Sequence, residues 1–236
     1  MRLRTIDYKI APNNFSHVDT FNKDFNIERS ELNGKRVYYV DNIPLYSITT
    51  ILSHGHEWIN EWISAVGKDY AKSVSHIASA QGQEIHTLCE SYLYNKELDI
   101  SNNVMLYHRF KKFTKVLNNI NNVYCLEKML YSLKLKIAGT VDCIAEYNNV
   151  LSIIDFKTSK REKLESEIED YFLQTTAYAI MVYELFNIKI TQIVILMSVD
   201  SDEPIVYIKN IKEYIPILRE RIRKFYKSME IESDNT

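Results

Sequence analysis

The chain has 236 residues, 46% of them hydrophobic and 25% charged, with a formal net charge of −2. That length carries one full hydrophobic core, and the ordinary balance of apolar and charged residues excludes a disordered chain. The small acidic excess excludes a polycation, so any phosphate contact must come from a local basic face.

At the N-terminus, Met1 to Tyr8 has no apolar stretch of the kind a secretory signal needs, and Asp7 speaks against a transit peptide despite Arg2 and Arg4. No apolar run approaches the ~20 residues that span a bilayer. Cys89, Cys125 and Cys143 stand far apart with no Cys-x-x-Cys pair, which fits a reducing compartment and argues against a zinc site or an iron–sulfur cluster. The expected location is therefore the cytoplasm, of a bacterium or of a phage-infected host, ahead of a mitochondrion, with no membrane contact.

Residues 1–35 are predicted irregular, since Pro12, Asn13-Asn14 and Ser16 break any periodicity. Arg36–Val40 and Leu45–Leu52 are rich in Val, Tyr, Ile and Thr and form a predicted hairpin around Asp41-Asn42-Ile43-Pro44. From Glu57 to Leu93 the pattern is helical, with Ile85, Leu88, Cys89 and Tyr92 at steps of three and four. A second amphipathic helix places Leu106, Phe110, Phe113, Leu117 and Ile120 on one face and Arg109, Lys111, Lys112 and Lys115 elsewhere. Strands are predicted at Val123–Leu133, Ala138–Tyr147 and Val150–Thr158. A helix follows at Tyr171–Phe186, then strands at Thr191–Val199 and Pro204–Ile208 and a last helix over Glu213–Met229. Few glycines and prolines (5 and 4) leave little room for linkers. The whole reads as one α/β (α+β) domain with a central mixed sheet: a hairpin and helices over 36–122, a core and final helix over 123–236.

Chemistry concentrates between Gly139 and Ser159. Asn148-Asn149 suits a two-residue hairpin turn, because Asn tolerates positive φ. Tyr147 then faces Val150, and counting back sets Asp142 opposite Asp155 with Cβ atoms roughly 4.5–5.5 Å apart. Like charges so placed are destabilising unless a cation offsets them, and carboxylates are what Mg²⁺ prefers. Lys157 shares the face of Asp155, while Phe156 points into the core. A lone Asp-x-Lys is more often a surface ion pair. Here Leu151, Ile153 and Ile154 mark a buried strand, where stray charges are rare. His86 and Glu90 share a helix face at i, i+4, as do Gln174 and Tyr178; alone, each pair is more often packing than chemistry.

The order Gly82-x-x-x-His86-x-x-x-Glu90, Gly139-x-x-Asp142, Asp155-Phe156-Lys157-Thr158-Ser159, Leu173-Gln174-x-x-x-Tyr178 resembles the RecB-type branch of the PD-(D/E)XK nuclease superfamily. Within it the segments around Asp142 and Asp155, with Pro44–Leu52, are similar to the mitochondrial genome maintenance and phage exonuclease subgroup. The resemblance implies a restriction-endonuclease-like αβββαβ core with helical additions. It implies catalysis by Asp142, Asp155 and Lys157, with Mg²⁺ (replaceable by Mn²⁺) held by His86, Asp142, Asp155 and the Phe156 carbonyl. Supporting or DNA-binding roles fall to Glu90, Glu127, Thr158, Ser159, Gln174 and Tyr178. Apart from the resemblance, the basic face of helix 106–120, with Lys112 and Lys115, is a candidate to guide a strand by its phosphates, although any single lysine is more often part of a solvated charged face. Two departures stand out: the four cysteines of the iron–sulfur members are missing, and Val141 replaces the nominal proline before Asp142. The implied activity is exonucleolytic hydrolysis of single-stranded DNA from a free end in replication, recombination or repair, alongside proteins of those processes. A flap or structure-directed endonuclease on the same fold, and a non-catalytic DNA-binding module, are the alternatives. Trp58 and Trp62 are candidates for stacking on bases.

Overall fold

The structure is a computed structural model that describes residues 7–200 and 202–234; the leader reading at Arg2 and Arg4 lies outside them. The expected hairpin forms as β3 (Lys35–Val40) and β4 (Ile43–Ser47), and β3 also pairs with β2 (Ile27–Leu32). That extra strand, and the short β1 (Lys9–Ile10), correct the expectation of an irregular segment over 1–35. The stretch after Ser47 is helix α1 (Ile48–Ser53) rather than strand. Its Ile48, Ile51 and Leu52 bury one face at helical spacing, and this packing overrides the β preference of a β-branched run.

Gly67, at φ 88°, divides the long helical region into α2 (Glu57–Val66) and α3 (Lys68–Leu93). The first half of α3 is largely exposed, while Ile85, Cys89, Tyr92 and Leu93 are buried. After β5 (Leu98–Asp99), helix α4 (Val104–Leu117) is capped by Asn103, whose side chain accepts from Leu106 N at 3.1 Å. The rest runs β6 (Ile120–Ser132), β7 (Ile137–Tyr147), β8 (Val150–Ser159), α5 (Glu169–Phe186), β9 (Gln192–Val199), β10 (Ile205–Asn210) and α6 (Ile215–Asp234).

An eight-stranded mixed sheet runs β10-β9-β8-β7-β4-β3-β2, with β6 also on β7. Helices α1, α5 and α6 cover one face through Phe172, Leu173, Leu218 and Phe225. Helices α3 and α4 cover the other through Ile85, Cys89, Phe110 and Phe113. No helix among the described residues is long and apolar enough to cross a membrane.

One irregularity in this frame positions the site. Asn148 and Asn149 adopt φ 52° and 64°, and the β7–β8 register is the expected one, from Tyr147↔Val150 to Cys143↔Ile154. There the ladder stops. β8 leaves to continue in parallel with β9 through Ser159, and β4 takes over the vacated edge of β7 only at Ile137 and Ala138. Among the described residues, Gly139 to Asp142 therefore has no ladder on that edge. Val141 enters the α5-side core and Cys143 the α3-side core, so the two-residue alternation of a strand breaks at Asp142.

Candidate active site

Asp142 and Asp155 are the residues immediately beyond the last β7–β8 pair, and they are 7% and 1% exposed. They hold the expected register without completing the ladder, so the carboxylates point into a gap. The strand separation also frees backbone groups of β8. Phe156 N donates to Asp142 Oδ2 at 2.9 Å. Because the N–H and C=O of one residue point to the same edge of a strand, the Phe156 carbonyl opens on this gap too. The Phe156 ring itself is buried in the α3–α4 core, as expected from alternation.

Each acidic group has a defined neighbourhood. Asp155 Oδ1 accepts from Gln174 Nε2 at 3.0 Å, and the same nitrogen lies 3.3 Å from the Tyr178 hydroxyl. Lys157 Nζ sits 2.5 Å from Asp155 Oδ2 as an ion pair, and no other donor reaches this buried oxygen among the described residues. Helix α3 brings His86 Nδ1 to 3.5 Å from Asp142 Oδ2 and 3.9 Å from Glu127 Oε1. His86, Glu127 and Asp142 offer ligand atoms all within 4.8 Å of one another. Glu127 occupies φ 48° in the middle of β6, a left-handed conformation that costs a non-glycine residue roughly 1–2 kcal/mol. Such strain persists where surrounding structure enforces it and clusters at functional sites.

The electrostatics fit an anionic cluster in want of positive charge. Burial, then repulsion from Asp155, pushes Asp142 up to about 7, against the pull of His86 and Lys157. Burial opposes charge on Lys157, but the two aspartates outweigh it and hold the amine above its usual value. His86 is likewise raised, with Glu127 and Asp142 overcoming the cost of burial. Buried carboxylates, an imidazole and a carbonyl are a hard oxygen-and-nitrogen donor set that suits a divalent cation.

The structure thus gathers Asp142, Asp155, Phe156, Lys157, His86, Glu127, Gln174 and Tyr178. It places the others differently. No hydrogen bond or ion pair ties Glu90 to the site among the described residues. Ser159 shapes the turn after β8, donating to Arg161 O at 2.6 Å. Thr158 lies against α3, its Oγ1 3.8 Å from where a Cβ on Gly82 would stand. Lys112 and Lys115 pair with Glu203 at 3.8 and 2.9 Å, and Arg109 is half-buried on Ser198 and Asp200. The basic face of α4 thus meets the β9–β10 connection. Trp62 is 36% exposed; the Trp58 side chain lies outside the described residues. Tyr171 was missed. Its ring lies 5.0 Å from Lys157 Nζ, and its spacing from Gln174 and Tyr178, by three and then four, was the available signal.

Comparison with known proteins bears on the family of the chain. The family description "PD-(D/E)XK nuclease superfamily" matches residues 54–229. Mitochondrial genome maintenance exonuclease 1 of Homo sapiens is 29% identical over 125 residues, covering 51% of this chain and 36% of that protein. The Mus musculus counterpart is 32% identical over 124 residues, with the same 51% and 36% coverage. The Xenopus tropicalis counterpart is 44% identical over 66 residues, 27% of this chain and 18% of its own. The chain therefore spans about a third of the length of the human and mouse relatives. A crystal structure of a Eubacterium rectale protein superposes with a TM-score of 0.41 at 11% identity, over 64% of this chain and 66% of that one. The three curated relatives are mitochondrial proteins by name, and that finding overturns the cytoplasmic expectation drawn from composition and the N-terminus.

Proposed function

Because the chain belongs to the PD-(D/E)XK nuclease superfamily, we propose that it is a divalent-metal-dependent DNA exonuclease that hydrolyses single strands from a free end, in DNA replication, recombination or repair. The observation that carries the reading is the pair of buried carboxylates at the point where β7 and β8 part, with an amine and an imidazole against them. Asp142, Asp155, His86 and the Phe156 carbonyl would hold Mg²⁺, or Mn²⁺ in its place, and Glu127 is in reach to join them. A bound cation supplies acidification of a ligated water and positive charge against the phosphate.

The chain's own residues do the rest. Lys157, kept protonated by the two aspartates, donates from Nζ to the attacking oxygen or to a non-bridging phosphate oxygen, where negative charge builds. Tyr171 and Asp155 flank that ammonium and limit its rotamers. Gln174 fixes Asp155 through Oδ1 and so leaves Oδ2 to Lys157. His86 steadies Asp142 from the α3 side.

Digestion of end-labelled single-stranded, duplex, flap and circular DNAs, with Mg²⁺ and with EDTA, tests the proposal. The expected pattern is EDTA-sensitive loss of linear single strands with circles spared. Cutting of circles would assign an endonuclease instead. Inertness toward every DNA with Mg²⁺ or Mn²⁺ would leave a binding module.

A further inference from the structure

Two cations on the β2–β3 hairpin stand apart from every contact described above. Arg29 and Arg36 are exposed, and among the described residues neither guanidinium has a hydrogen-bond or ion-pair partner. They line a concavity of about 660 Å³ together with Glu31, Thr49, Thr50 and Ser53. Thr50 and Ser53 already donate to the carbonyls of Arg36 and Thr50. The donors left for a ligand are chiefly the two guanidinium groups, each with five N–H. Two arginines against one glutamate leave the lining with a formal excess of one positive charge.

The register relates this patch to the active site. Arg29 lies opposite Tyr38, and Arg36 lies two residues before it, so all three leave the sheet on one face. The Tyr38 hydroxyl is 3.4 Å from Thr140 Oγ1, and Thr140 precedes Asp142 by two positions on β7. One strand spacing, one tyrosine and two residues separate Arg29 from Asp142, roughly 20 Å in all. A nucleic-acid strand, at ~3.4 Å or more per nucleotide, covers that in a handful of nucleotides. Charges on an edge strand also guard against edge-to-edge pairing. Glu28 and Glu31 serve that purpose equally, and it does not require two unpaired guanidinium groups at one concavity.

We infer that Arg29 and Arg36 form a phosphate-binding patch that grips the DNA strand several nucleotides from the bond being cut. The inference rests on the nuclease reading above and adds a footprint to it: affinity grows with strand length until the strand reaches the hairpin. Planar, five-donor guanidinium groups are matched to phosphate oxygens.

Equilibrium binding of the full chain in EDTA to end-labelled single strands of about 4 and about 20 nucleotides, across a salt series, is the test. Arg29→Ala/Arg36→Ala is expected to weaken binding of the long strand about tenfold and to lower its salt slope by about 1.4, since each single-strand phosphate contact contributes ~0.7. Binding of the short strand is unchanged. Arg29→Lys/Arg36→Lys retains most of the slope, and turnover at saturating long strand with Mg²⁺ stays at the wild-type level for both variants. An unchanged long-strand affinity and slope, in a double-alanine variant with the wild-type melting temperature, overturns the inference. So does an equal loss on the short strand. A wild-type chain that binds in this length-dependent, arginine-dependent way but cuts nothing supports the patch while removing the nuclease reading.

Discussion

Replacing Asp142 by Asn should make the metal-free protein more stable while removing its chemistry. A carboxyl that titrates at about 7 in the fold and near its ordinary 3.8 when unfolded binds more protons in the native state between those pH values. Native stability therefore falls as pH rises through that window, the reverse of the usual salt-bridged aspartate. Loss of charge from His86, also raised in the fold, acts in the same direction. At about 1.4 kcal/mol per pH unit, the interval from 3.8 to about 7 integrates to about 4 kcal/mol of destabilisation carried by ionised Asp142 at pH 8. Asn keeps an acceptor for Phe156 N and carries no charge, so it escapes both the burial cost and the repulsion from Asp155.

The assay is thermal unfolding in EDTA from pH 4 to pH 8.5. Near pH 4 the two proteins should melt together. By pH 8 the Asn variant should melt roughly 10 °C higher, at 2–4 °C per kcal/mol for a chain of this size. Saturating Mg²⁺ should then raise the wild-type curve by mass action and leave the variant nearly unmoved. A variant less stable than wild type at pH 8 without metal would refute the reasoning. It would mean that Asp142 supports the fold as an anion and that its neighbours already neutralise it.

Lys157→Met should abolish cleavage and, in EDTA, cost roughly 3–5 kcal/mol in urea denaturation, because it strands the buried Asp155 carboxylate; added Mg²⁺ should restore part of that loss, and full activity would contradict the assigned role. Gln174→Ala removes the donor to Asp155 Oδ1, for an expected 1–3 kcal/mol in the same assay and a fall in kcat larger than any rise in KM. Gly139→Ala places a Cβ 2.9 Å from Tyr178 Cε1 and 3.3 Å from Ile48 Cγ2, so overpacking of about 1–3 kcal/mol is expected, relieved when Tyr178→Leu is added; additive losses in the double variant would show that the ring is not the obstacle.

Much of the architecture was legible because the periodicities were clean. Leu106, Phe110, Phe113 and Leu117 announced α4 and are buried, and Asn148-Asn149 fixed a turn and with it a register that held along every pair of the β7–β8 ladder. Elements were misjudged where local preference and packing disagreed. Ile48–Ser53 carries β-branched residues yet folds as helix, and Ile27–Leu32 shows no strand alternation because it is a mostly exposed edge. The partners of the α4 basic face were hidden for a different reason: Asp200 and Glu203, which meet it, lie some ninety residues downstream, and nothing local announces them.

The site was legible in its members and hidden in its making. A register argument puts Asp142 and Asp155 side by side, but a complete ladder would spend the Phe156 N–H on β7 and leave both carboxylates on a closed sheet. Parting the strands one pair early gives Asp142 that N–H and opens an edge of β7 that no strand among the described residues covers from Gly139 to Asp142. What drives the parting is distant in sequence. β9 draws β8 away in parallel through Ser159, and Tyr178 presses against Gly139 from α5. Opposite Asp142, on the other edge of β7, Glu127 is held at φ 48°, so the break in alternation crosses both ladders at one level. Pairing rules for two adjacent strands contain none of these contacts, which is why two aspartates could be matched on paper while the gap between them needed the whole sheet.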